Sequence, residues 1–63
     1  MVLTYFTRDE LIFQLRTMFT LEEEQRVDFN QLSMTEVTGG WLVRVGGRRF
    51  MVHKYLGVVL YEL

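Results

Sequence analysis

Apolar positions in this chain follow one period in its first third and another in its second half. Leu11, Ile12, Leu15, Met18 and Phe19 recur at the spacing of a single helical stripe. Thr7 and Glu10 form a T-x-x-E capping box in front of that stripe, with Phe6 and Leu11 placed as a hydrophobic staple. Asp9 and Glu10 fall at the positive end of the helix dipole, where carboxylates are favoured. Phe13 lies off the stripe and is expected to meet Val2, Leu3 and Tyr5 or to face solvent. Thr20 and Glu23 repeat the capping pattern, which predicts a second helix beginning at Leu21 with an acidic first turn, Glu22 to Glu24. Val27 and Phe29 alternate as in a strand, but Leu21, Gln25, Phe29 and Leu32 keep helical spacing, and helix to about Asn30 is expected.

From Ser33 onward the pattern is β. Trp41 to Lys54 reads as a hairpin closed by Gly46-Gly47, a two-residue turn that fixes the register. Val45 then opposes Arg48, Arg44 opposes Arg49, Val43 opposes Phe50 and Trp41 opposes Val52. One face of the ribbon is apolar, while Arg44, Arg49, Met51 and His53 form the other. Thr38-Gly39-Gly40 suits a three-residue turn, which sets Val37 opposite Trp41 and brings Glu36 to the arginine face, diagonal to Arg44. Tyr55-Leu56-Gly57 leads into a last strand, Val58 to Leu63, that offers apolar groups to both faces and ends the meander at an edge. The fold class predicted is α+β, in one compact domain over residues 1–63. One or two N-terminal helices (7–31) pack on one face of an antiparallel meander of three or four strands (33–63). Trp41, Val43, Phe50 and Val52 are its expected core.

Length changes what that core must do. Sixty-three residues lie near the lower limit for folding alone, and with no cysteine there is neither a disulfide nor a thiolate metal site. Good packing and self-association are the remaining supports, so a homodimer is expected. The first ten residues carry no basic leader, and the apolar run Tyr55 to Tyr61 is too short to span a bilayer; a soluble, cytoplasmic protein is expected. Alanine and proline are both missing, for which we have no physical account.

Charge is unevenly placed although the net is −1. Seven acids precede Gly39 against Arg8, Arg16 and Arg26, whereas Arg44, Arg48, Arg49 and Lys54 follow it against Glu62 alone. Arginines directly opposed across a ladder repel, so Arg44 and Arg49 call for an acidic neighbour or an anionic partner. Glu36 or Glu62 would answer them within the fold; otherwise the pair is left open to a partner.

Catalytic chemistry has little to build on. Ser33 and His53 are the sole serine and histidine, and no nucleophile-elbow glycines surround Ser33. Glu22, Glu23 and Glu24 are consecutive and point in different directions on a helix. Metal-ligand spacings are missing, and the glycine pairs lack a dinucleotide or P-loop pattern. The expectation is therefore a non-enzymatic protein-interaction module without cofactor or metal. Its size suits a viral or mobile-element protein that binds or inhibits a larger host protein. Arg44, Arg48, Arg49, Met51, His53 and Lys54 are the expected binding residues, with Val59, Tyr61 and Leu63 as an edge-strand interface to a partner or a second copy. Two alternatives share these residues. A basic ribbon over 41–54 could enter a nucleic-acid groove, with Tyr55 and Tyr61 stacking on bases, and a subunit of an assembly would use the same surfaces at fixed stoichiometry.

Overall fold

The computed structural model describes residues 5–63. Two helices and a short 3-10 turn precede four strands: α1 Arg8–Arg16, α2 Leu21–Arg26, the turn Phe29–Gln31, β1 Ser33–Val37, β2 Gly40–Val45, β3 Arg48–His53 and β4 Val59–Glu62. The strands form one antiparallel meander in the order β1-β2-β3-β4, so the fold is α+β with its helices first.

Both capping boxes form. Thr7 accepts from the Glu10 amide and Thr20 from the Glu23 amide, each at 3.1 Å, while each glutamate reaches back to its cap. Leu11 and Leu15 on α1 are fully buried and Phe19, just beyond it, nearly so. Ile12, within α1, is half-buried, and Met18, past its end at Arg16, is exposed. Phe13 is 73% exposed; its expected meeting with Val2 and Leu3 lies outside the described residues.

The second helix is shorter than its spacing predicts. It ends at Arg26, and Val27 is extended, with φ −96° and ψ 129°. Asp28 then caps the 3-10 turn by accepting from the Asn30 amide at 3.0 Å. Extending the backbone at Val27 lets Val27 pack on the core while Phe29 and Leu32 enter it. Leu21, which the helical spacing set on one face with Phe29 and Leu32, is 79% exposed, while Phe29 and Leu32 are buried. Aspartate competing for the backbone is the physical reason the helix stops.

The β2–β3 register is the predicted one throughout, including Arg44 opposite Arg49. The β1–β2 register is not. Val37 pairs with Gly40, so the loop has two residues, Thr38 and Gly39, and Glu36 rather than Val37 faces Trp41. Gly39 takes φ +78° after a negative φ at Thr38, the sign pattern of a type II turn. Gly40 is needed within the strand instead: a Cβ there would lie 2.6 Å from the Val52 carbonyl oxygen. A shift of one residue moves every side chain of the strand to the opposite face. Met34 and Glu36 therefore turn to the helix side and Ser33, Thr35 and Val37 to the other.

Leu11, Leu15, Phe19, Phe29 and Leu32 pack on Val43, Val45, Phe50 and Val52 as one cluster. Trp41 borders it, half-buried, its indole N–H donating to the Lys54 carbonyl at 3.0 Å. Phe19 meets Phe29 edge-on at 5.3 Å, a geometry favoured by the ring quadrupoles. The helices cover one face of the sheet.

Candidate interaction face

Parity along the strands divides the expected binding residues between the two faces. Arg44, Arg49, Met51 and His53 share the face away from the helices, as predicted, together with Thr35, Val37, Leu42 and Tyr61. Tyr61 opposes Met51 and is 54% exposed; Leu42 and Met51 are half-buried. This face carries an apolar middle and a basic end, with no carboxylate in its register.

Arg48 lies on the helix side, opposite Val45. Its guanidinium donates to both Glu62 oxygens, at 2.6 and 2.7 Å, and to the Met18 carbonyl at 3.1 Å. It stacks over Phe19, 4.4 Å from the ring centre, with Glu23 at 3.7 Å. The hydrogen bonds from Arg48 hold the Glu62 carboxyl below the usual carboxylate range, and the same contact raises Arg48. Lys54, just past β3, bonds Glu36 at 3.0 Å, which raises the lysine. Both cations are thus engaged within the fold.

Glu36 does not answer the arginine pair. The shorter turn places it on the helix side, with Lys54, and Glu62 is taken by Arg48. Every carboxylate side chain of the sequence lies within the described residues, and none forms an ion pair with Arg44 or Arg49. The other arginines are occupied: Arg8 by the Asn30 carbonyl, Arg16 over the Phe29 ring and Arg26 by Glu22.

His53 serves the turn that follows it. Its Nδ1 accepts from the amides of Tyr55 and Leu56 at 3.2 and 3.1 Å. Ser33 pairs with Arg44 at one end of the sheet and His53 with Gly40 at the other, a separation of roughly 13 Å along the strands. The two do not converge. Among the described residues no group of three or more His, Asp or Glu side chains could hold a metal ion.

The edge strand is guarded at one point. Val58 C=O accepts from His53, so the amide of the same trans peptide, Val59 N–H, points away from β3. Gln14 of α1 meets it, its Oε1 accepting at 3.3 Å. Val59 packs toward the core and Leu60 is an extra residue in the ladder, a β-bulge. Of the expected edge residues, Tyr61 and Leu63 remain exposed.

The chain matches no known protein family, no curated protein and no solved structure. The arrangement of these side chains is therefore what speaks to function. Sequence reasoning weighed Ser33 only as a nucleophile and did not single out Gln31; both border a groove of about 440 Å³ beside Arg44, Arg49 and the Gly46-Gly47 turn. Ser33 could have been found from the turn length alone, since a two-residue loop at Thr38-Gly39 makes it the partner of Arg44. Among the described residues no helix is long and apolar enough to cross a membrane.

Proposed function

We propose that this chain is a small, non-enzymatic interaction module that binds, and by covering inhibits, a larger protein docked on the open face of its sheet. The partner surface is apolar at its centre, to meet Leu42, Met51 and Tyr61, and acidic at one margin, to meet Arg44 and Arg49. One observation carries this reading: among the described residues the helices cover one side of the sheet, and its other side joins half-buried Leu42 and Met51 and exposed Tyr61 to two arginines that no carboxylate side chain pairs with. Aromatic, methionine and arginine side chains are the types enriched in interface centres. Such a role suits a viral or mobile-element product acting on a host factor. A second copy is the other occupant this face could take, as dimer or assembly subunit.

Nucleic acid is the weaker reading. Its affinity depends on the number of phosphates neutralised, and Arg48 and Lys54 already hold carboxylates on the other face.

The test is affinity capture with wild type and with the double variant Met51→Glu, Tyr61→Glu, beside mass measurement of the chain alone. Wild type is expected to retain a protein that the variant loses, with both chains melting within a few degrees of each other. A monomer that retains nothing at micromolar concentration, or retention indifferent to the variant, would overturn the reading.

A further inference from the structure

The tip of the β2–β3 hairpin carries a narrower piece of chemistry. Gly46-Gly47 closes a two-residue turn, with φ +59° and +77°, so the pair that closes it, Val45 and Arg48, exchanges backbone hydrogen bonds. The next pair, Arg44 and Arg49, is then of the kind without mutual backbone bonds, in which Cα atoms lie about 4.5 Å apart and side chains are closest. The Leu63 amide agrees, since it donates to the Arg49 carbonyl at 2.9 Å and so finds that carbonyl turned toward β4. Two exposed guanidinium groups therefore leave one face from the tightest spacing a ladder offers. Ser33 stands on the other side of Arg44 in register, and Gln31 precedes it from the 3-10 turn. The groove they border has no acidic lining, whereas Glu23 and Asp28 line the adjoining groove over Gly46, together with Arg26.

The geometry points to a binding site for a tetrahedral, doubly charged oxyanion, a phosphate or phosphate monoester, held by Arg44 and Arg49 with Ser33 and Gln31 as further donors. Each guanidinium presents a planar fork matched to two oxygens. Two forks, a hydroxyl and an amide supply more donors than the roughly four acceptor positions of a carboxylate. A dianion balances both charges and removes the cross-strand repulsion that the empty pair sustains. Charge and donor count carry this site whether the phosphoryl group is free or borne by a docked protein.

Nuclear magnetic resonance of the full chain tests it. Sodium phosphate is titrated against sodium acetate at equal ionic strength, following the arginine Nε–H signals and the Ser33 and Gln31 resonances. Phosphate is expected to give saturable shifts confined to Arg44, Arg49, Ser33 and Gln31. Arg44→Gln or Arg49→Gln each weakens binding about tenfold, and the double variant gives no saturable response while melting at or above wild type in phosphate-free buffer. End-blocked phosphoserine binding more tightly than inorganic phosphate assigns the site to a protein-borne group; equal or weaker binding assigns it to the free anion. Shifts that rise without saturation alike in phosphate and acetate, or binding that survives in the double variant, overturn the proposal.

Discussion

Arg48 and Arg49 are neighbours in the chain and opposites in the fold. Arg48 is saturated: two carboxylate oxygens, a carbonyl and the face of Phe19 surround its guanidinium. Arg49 stands on the open face with no ion-pair partner among the described residues, across from an equally free Arg44. The two faces of one sheet thus use the same residue type for different ends, one to seal the rim of a core and one to leave charge available. A run of basic residues in a strand is therefore not a basic patch. Only every second member shares a face.

The contrast can be broken most severely at the next pair along β3. Phe50→Ala removes a fully buried ring and is expected to cost about 3–5 kcal/mol, as much as the core of so small a domain supplies. Circular dichroism should find that variant largely unfolded at 25 °C, whereas Met51→Ala, one residue on and on the open face, should cost about 1 kcal/mol or less. The arginines come next. Arg48→Met should lower stability by about 1 kcal/mol through the lost stacking on Phe19, while Arg49→Met leaves it unchanged or higher in the same denaturant titration.

A smaller effect separates the faces by pH. Glu62 and Glu23 are held below the usual carboxylate range, Glu62 chiefly by its bonds from Arg48 and Glu23 chiefly by the Thr20 amide at its helix cap. Their contribution is complete above the unfolded-state value of about 4.3 and is lost as pH falls through the lower folded values. Melting temperature should therefore decline below about pH 4 to 5, and Glu62→Gln should start lower at neutral pH and decline less. Lys54 is raised by Glu36, so its contribution persists up to its unfolded value, about 10.4, and fades only above it. The smallest effect concerns the open face alone: Arg44→Gln should raise stability by a few tenths of a kcal/mol at low salt, and the gain should shrink as salt screens the pair.

What the sequence conveyed well was local. Capping boxes at Thr7 and Thr20, the stripe through Leu11 and Leu15, and the register set by Gly46-Gly47 depend on residues a few positions apart, and each stands as predicted. Two features failed because they depend on distant partners. Gly40 reads as a turn glycine until the Val52 carbonyl is brought within 2.6 Å of where its Cβ would be. Gln25 and Phe29 read as helical until Val27 is drawn inward under Gly46. The two-residue loop alone places Glu36 across the sheet, with Lys54, and leaves open an arginine pair that a three-residue loop would have set beside a carboxylate.

The bond from Gln14 to Val59 gives the meander a temporal vulnerability. The hairpins close through contacts between near neighbours, but Gln14 and Val59 are 45 residues apart, so the strand edge acquires its cover only when the first helix docks. Until then, Val59 N–H is an open invitation to another chain, flanked by apolar Leu60 and Tyr61. Loss of the Gln14 contact, as in Gln14→Ala, is therefore expected to raise misassociation through this edge during refolding more than it lowers the melting temperature.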